Sequence, residues 1–180
     1  MARGKMGVLN AMSAAGLAMA VRDRLLALDE PAVAAAHPSA CLPAHLPAVA
    51  DAERLIVVGA GKAAAAMAVV AEAHDRRLGA LAAIGGFNTA PYGARAALGG
   101  EPTHKIDVIA ARHPTPDASS AAAAERALSL VATAGARDLV LVLPSGGASS
   151  LWAAPAAGLD LAAKTALTRG LLACGAIFMR

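Results

Sequence analysis

The stretch RLIVVGAGKAAAAMAVVAEAHDRR, Arg54 to Arg77, decides the fold. Four large apolar residues, Leu55 to Val58, are followed by a glycine turn and then by an alanine-rich run with helical spacing, predicted as a helix from about Ala63 to His74. A short continuous apolar run bounded by glycine reads as a strand buried on both faces, and a strand that feeds a helix is the unit of a parallel sheet.

The same alternation continues outward. GALAAIGG (Gly79 to Gly86) and HKIDVIAA (His104 to Ala111) are predicted as two further strands. TPDASSAAAAERALSLVATAGA is predicted as a helix capped by Asp117 or Ser119, with Gly135 as its stop, because Asp or Ser satisfies free N–H groups and Gly tolerates a left-handed turn. Leu139 to Leu143 supplies a fourth strand, and Leu161, Leu167, Leu171 and Leu172 mark a last helix from an Asp160 cap to about Cys174. The expected fold class is α/β, a doubly wound, Rossmann-like parallel sheet flanked by alanine-rich helices, and incomplete. No internal repeat and no linker stands out.

Composition narrows the function classes. At 180 residues the chain suits one domain, which buries roughly 70% of its unfolded surface. With 57% hydrophobic and 16% charged residues it is not a disordered chain. Its 16 Lys and Arg are scattered, and one Trp, one Tyr and two Phe leave little to stack on bases, so no nucleic-acid partner is expected. No membrane span is expected either, since the longest charge-free stretch, Leu139 to Leu159, is broken by prolines and a glycine pair. Arg3 and Lys5 before the run Met6 to Val21 outline a signal peptide, but that run is weakly apolar and continues into the helical pattern of Arg22 to Leu28. A cytoplasmic protein with reduced Cys41 and Cys174 is the expectation. His37, Cys41 and His45 are spaced by four, but Pro38 and Pro43 interrupt the helix that would make them metal ligands.

Two loops lie where strands hand over to helices, which is where open α/β sheets bind ligands. GAGKAA, Gly59 to Ala64, matches the dinucleotide fingerprint, yet the next strand, ending IGGFN at Asn88, lacks the acid that holds a ribose. It is not a Walker A loop, having Ile56 where the first glycine belongs and Ala63 in place of Ser or Thr. What remains is Lys62, read either as a solvated surface lysine or as a ligand for a carboxylate or phosphate, with Gly59 and Gly61 allowing close approach. A cation at a helix N-terminus is unfavourable by roughly 0.3–1 kcal/mol, which asks for an anionic partner. In the second loop, Ser145, Gly146, Gly147, Ala148, Ser149 and Ser150 read as a nest for an oxyanion, or as a tight turn only. This is not GxSxG, so a nucleophilic serine is not indicated. His113, between Arg112 and Pro114, reads equally as a loop histidine or as a ligand.

VVGAGKAAAAMA, RHPTPD, LVLVLPSGGASSL and LAAKTALTRGLLACGA together resemble the N-terminal domain of bacterial glycerate 2-kinases, a family with a C-terminal MOFRL domain and an older label of hydroxypyruvate reductase. VAAAHPSACLPAHLP is similar to the family's lead-in to its first strand. The resemblance spans about residues 22–177, leaves residues 1–21 as an unassigned extension and 178–180 as a truncated end, and reads the chain as a fragment without the second domain. It implies phosphorylation of the 2-hydroxyl of D-glycerate to 2-phosphoglycerate by ATP with Mg, the metal-binding groups lying mostly outside this chain. Lys62 corresponds to the family's GAGKA lysine, and Ser145, Gly146, Gly147, Ala148 and Ser149 to its SGGGS loop. Ala148 replaces the third glycine; a left-handed backbone there would be strained by alanine. A homo-oligomer is a candidate assembly. A nicotinamide-dependent hydroxypyruvate reductase and a non-catalytic module for anions or sugar phosphates are the competing readings.

Overall fold

The computed structural model describes residues 14–48, 52–78, 84–94 and 103–175. Helix α1 (Ala14–Ala36) leads into a short α2 (Pro38–Cys41) and a 3-10 turn (Pro43–His45). Then come β1 (Leu55–Ala60), α3 (Ala64–Leu78), β2 (Ile84–Pro91), β3 (Ile106–Ala111), α4 (Ala118–Val131), β4 (Leu139–Pro144), α5 (Ala148–Leu151) and α6 (Leu161–Ala173). The four strands form one parallel sheet in the order β3-β2-β1-β4.

That order follows from the side chains of β1. All six of its residues are buried, and alternate residues point to opposite faces. Leu55 and Val57 pack with Ala64, Ala65, Ala68 and Ala71 of α3, while Ile56 and Val58 pack with Phe87 and Ala127 on the α4 side. Alanine at the α3 positions lets that helix lie close to the sheet. Burying a strand on both faces is what parallel sheets require. The chain leaves β1 through α3 toward β2 and β3, then returns through α4 to place β4 on the other side of β1. The switch point of the winding therefore lies between β1 and β4.

Several boundaries differ from expectation for identifiable reasons. β2 lies at Ile84–Pro91, not at Gly79 to Gly86, and residues 79–83 are outside the described ones. Gly85 and Gly86 hide its alternation, and Gly86 is there because a Cβ would lie 1.8 Å from the Val57 carbonyl oxygen. The third strand begins at Ile106 rather than His104, where buried Glu72 accepts the N–H groups of His104, Lys105 and Ile106. Asp117, not Ser119, caps α4, in a reciprocal box with Ser120. That helix ends at Val131, and Gly135 instead donates its N–H to Asp138 in the turn before β4. Asp160 caps α6 as expected. α1 runs unbroken through residues 21 and 22, so no element boundary separates the expected extension from the domain; residues 1–13, where the signal-like run begins, and residues 176–180 are outside the described ones.

Among the described residues no helix is long and apolar enough to cross a membrane, and no cluster of His, Cys, Asp or Glu could hold a metal ion. His37 instead caps α2 by accepting the N–H of Ser39. Cys41 and Cys174 are free and exposed.

Candidate anion-binding site

The loops after β1 and β4 are neighbours because their strands are paired, with Ala60 opposite Pro144. Beyond the ladder they stay joined: Ser145 N–H donates to Ala60 O at 2.9 Å and Lys62 N–H to Gly146 O at 2.9 Å. The Ala63 N–H donates to Ser145 Oγ at 3.1 Å. Gly61 N–H reaches across to Thr89 O of β2 at 3.1 Å, and Thr89 Oγ1 accepts from Trp152 Nε1 at 3.0 Å. Both sequence-predicted loops thus meet at one end of the sheet.

They open into a cleft of about 850 Å³, within the size range of small-molecule sites. One wall holds Lys62, His113, Gly147, Ser149 and Ser150. The other is the connection Ala154–Leu159 and the face of α6 that carries Lys164, Leu167, Thr168, Leu171 and Leu172. α6 is tied to the first wall by Thr165, whose Oγ1 donates to Pro116 O at 3.1 Å.

Lys62 lies two residues before α3 rather than in its first turn, and is exposed. Gly59 and Gly61 are not among the cleft-lining residues. Gly59 is buried within β1, where a Cβ would lie 2.7 Å from the Asn88 amide; Asn88 donates to Ala64 O at 2.8 Å and fixes the start of α3. At Gly61 (φ +135°) a Cβ would fall 2.0 Å from Ser145 Oγ. Ser145 and Gly146 support the loop from behind the lining. The left-handed residue is Gly147 (φ +89°), whereas Ala148 opens α5 and no non-glycine residue among those described has positive φ. The strain foreseen for Ala148 is therefore not present.

His113 packs on Gly147 and is half-buried. Burial first, and then the charge of Lys62, hold its imidazole below the usual histidine range. The ring is thus favoured in its neutral form, with one nitrogen able to accept a hydrogen bond. Lys164 is the cleft residue that the sequence reading missed; the spacing Asp160 to Lys164 shows only one helical turn, and nothing local reveals that α6 folds back over the loops.

The charged and titratable groups among the described lining residues are Lys62, Lys164 and His113, with no carboxylate. Two ammonium groups lining one space with no carboxylate beside them favour an anion there. Serine and glycine at Gly147 and Ser149 add small polar groups without blocking access. The arrangement is suited to a small, oxygen-rich anion whose less polar part rests against Leu167, Leu171 and Leu172.

Residues 24–178 match the family model described as "Domain of unknown function (DUF4147)". A protein of Agrobacterium vitis named as a hydroxypyruvate reductase is 36% identical over 158 residues, covering 88% of this chain and 34% of the relative. A glycerate kinase of Danio rerio is 35% identical over 127 residues, covering 68% of this chain and 25% of the relative. Among solved structures, a glycerate kinase of Thermotoga maritima superposes with a TM-score of 0.66 at 29% identity, over 88% of this chain and 36% of that one. The chain spans about a third of the length of the first of these relatives and a quarter of the second.

Proposed function

The chain belongs to the DUF4147 family and stands with its glycerate kinases; from that premise we propose that its cleft forms one half of a phosphotransferase site. The proposed reaction transfers the γ-phosphoryl group of ATP to the 2-hydroxyl of D-glycerate, giving 2-phosphoglycerate and ADP with release of the hydroxyl proton. The observation that carries this reading is the cleft with Lys62, His113 and Lys164 and no lining carboxylate among the described residues.

ATP supplies the phosphoryl group in this reading. Lys62 and Lys164 neutralise phosphate and substrate carboxylate oxygens, and the Gly147 to Ser149 segment lets those oxygens approach the backbone. Neutral His113 accepts a hydrogen bond from the attacking hydroxyl. Catalysis of this kind consists mainly of positioning and charge stabilisation, which suits these groups better than a covalent nucleophile. Magnesium, usually held through one or two carboxylates together with waters and substrate phosphates, finds no carboxylate among the described cleft residues.

The reductase name of the Agrobacterium relative finds less support. β2 ends in Thr89, Ala90 and Pro91, later than the sequence suggested but still without the acid that would hold a nicotinamide ribose.

The test is Lys62→Ala in a complete family enzyme carrying the matching lysine. The expected outcome is a fall in kcat of roughly 100-fold with D-glycerate and ATP, as for loss of one transition-state ligand, at a Tm within a few degrees of the parent. Unchanged kinetics would make the lysine structural and remove the proposal.

A further inference from the structure

We infer that Ser145 is a positioning residue for Lys62, and that Gly61 and Ser145 together form an interlock that sets where the lysine leaves the backbone. The inference rests on the anion-site reading and reassigns two residues within it, since sequence alone suggested that both met the ligand directly.

Three consecutive amides around the lysine are each fixed to a different anchor. Gly61 donates to Thr89 O and Lys62 to Gly146 O, while Ala63 donates to the Ser145 hydroxyl. Lys62 therefore has an exposed side chain on a main chain held on both sides. Ser145 is the one anchor of the three that acts through a side chain. Its hydroxyl also fills the space that any Cβ on Gly61 would need, and the Ser145 backbone carbon and oxygen stand 2.7 Å from that position. Gly61 is thus required by its protein neighbour, not by an incoming ligand.

The three serines of the loop divide the work. Ser145 holds the lysine turn, and Ser150 donates to Gly147 O at 2.9 Å, closing the left-handed residue. Ser149 is exposed, lines the cleft and has no hydrogen bond from its hydroxyl to another described residue, which leaves that hydroxyl for a ligand.

The 180-residue chain at low micromolar concentration tests this, with inorganic pyrophosphate as the probe and the fluorescence of Trp152, the only tryptophan, as the readout. Ser145→Ala is expected to weaken pyrophosphate binding about five- to tenfold, and Ser145→Thr, which keeps the hydroxyl, about twofold or less. In a Lys62→Ala background, Ser145→Ala should cost less than twofold, because a residue acting through the lysine has nothing left to position. Hydrogen exchange at the Ala63 amide should speed up in Ser145→Ala and not in Ser145→Thr. An equal loss with and without the lysine would make Ser145 a direct ligand and overturn the inference, as would unchanged exchange at Ala63. If the parent chain does not bind pyrophosphate, the anion reading fails, and the Ala63 exchange comparison alone decides the interlock.

Discussion

The His113 imidazole lies against Gly147 so closely that a Cβ on Gly147 would stand 2.5 Å from Nε2 and 2.7 Å from Cδ2. Glycine is needed there twice over, for its left-handed backbone (φ +89°) and for the space it leaves to the ring. Gly147→Ala is expected to destabilise the protein by about 1–3 kcal/mol and to push His113 out of the cleft. Ala148→Gly, one residue on, meets neither constraint and should change pyrophosphate affinity less than twofold. Urea unfolding and binding measurements on the two variants check the contrast; equal effects would show that the loop is mobile enough to ignore both constraints.

The depressed titration of His113 gives a second test. Because the folded protein holds the ring less readily protonated than the unfolded chain, its contribution to stability is complete above the ordinary histidine value of about 6.5. As pH falls from there toward the folded value the unfolded chain takes up the proton first, and stability is lost. His113→Gln should flatten that part of the pH dependence of the urea midpoint. Lys62→Ala should raise the His113 titration midpoint, since the lysine is one of the two groups of causes holding it down. A midpoint unmoved by that change would place the two residues too far apart to share a ligand.

How much of this was legible in the sequence depends on whether the signal was local. The β1 to α3 unit was, because the switch from a solid apolar run to helical spacing occurs within 24 residues, and so were the caps at Asp117 and Asp160, where the side chain bonds an amide two or three residues on. The doubly wound order followed from the alternation of strands and helices. β2 was displaced because a glycine pair carries no pattern. The pairing of Gly61 with Ser145 spans 84 positions, and the presence of Lys164 in the same cleft as Lys62 depends on the turn at Gly158 (φ +86°) that leads into α6, so both are properties of the tertiary fold.

Asp75 lies outside the cleft and bears on stability. It is 2% exposed, and among the described residues neither carboxylate oxygen has a hydrogen-bond partner. Burial raises its carboxyl above the usual aspartate range, Lys105 and His74 oppose the shift, and Glu72 adds to it. The folded protein then holds the proton to higher pH than the unfolded chain, so stability falls as pH rises through the window between the two values. Asp75→Asn is expected to raise stability at pH 7 by about 1 kcal/mol, in line with removing a poorly satisfied buried charge, and by less at pH 4. A loss of stability at pH 7 would mean that the charge is compensated.

The last expectation concerns the 180 residues assayed by themselves. Phosphoryl transfer requires nucleotide and acceptor to be held together, and the described cleft offers two lysines and a neutral imidazole. The matched part of the chain covers 34% and 25% of the length of the two relatives. Its second wall is also open: Leu159, Leu167, Leu171 and Leu172 are 62%, 65%, 39% and 48% exposed, forming an apolar surface of the kind that draws proteins together. The chain alone is therefore expected to bind pyrophosphate without phosphorylating D-glycerate, and to self-associate as its concentration rises. Leu167→Ser with Leu171→Ser should reduce that association without restoring activity. A monomeric 180-residue protein that converts D-glycerate and ATP to 2-phosphoglycerate would show that the cleft is a complete active site.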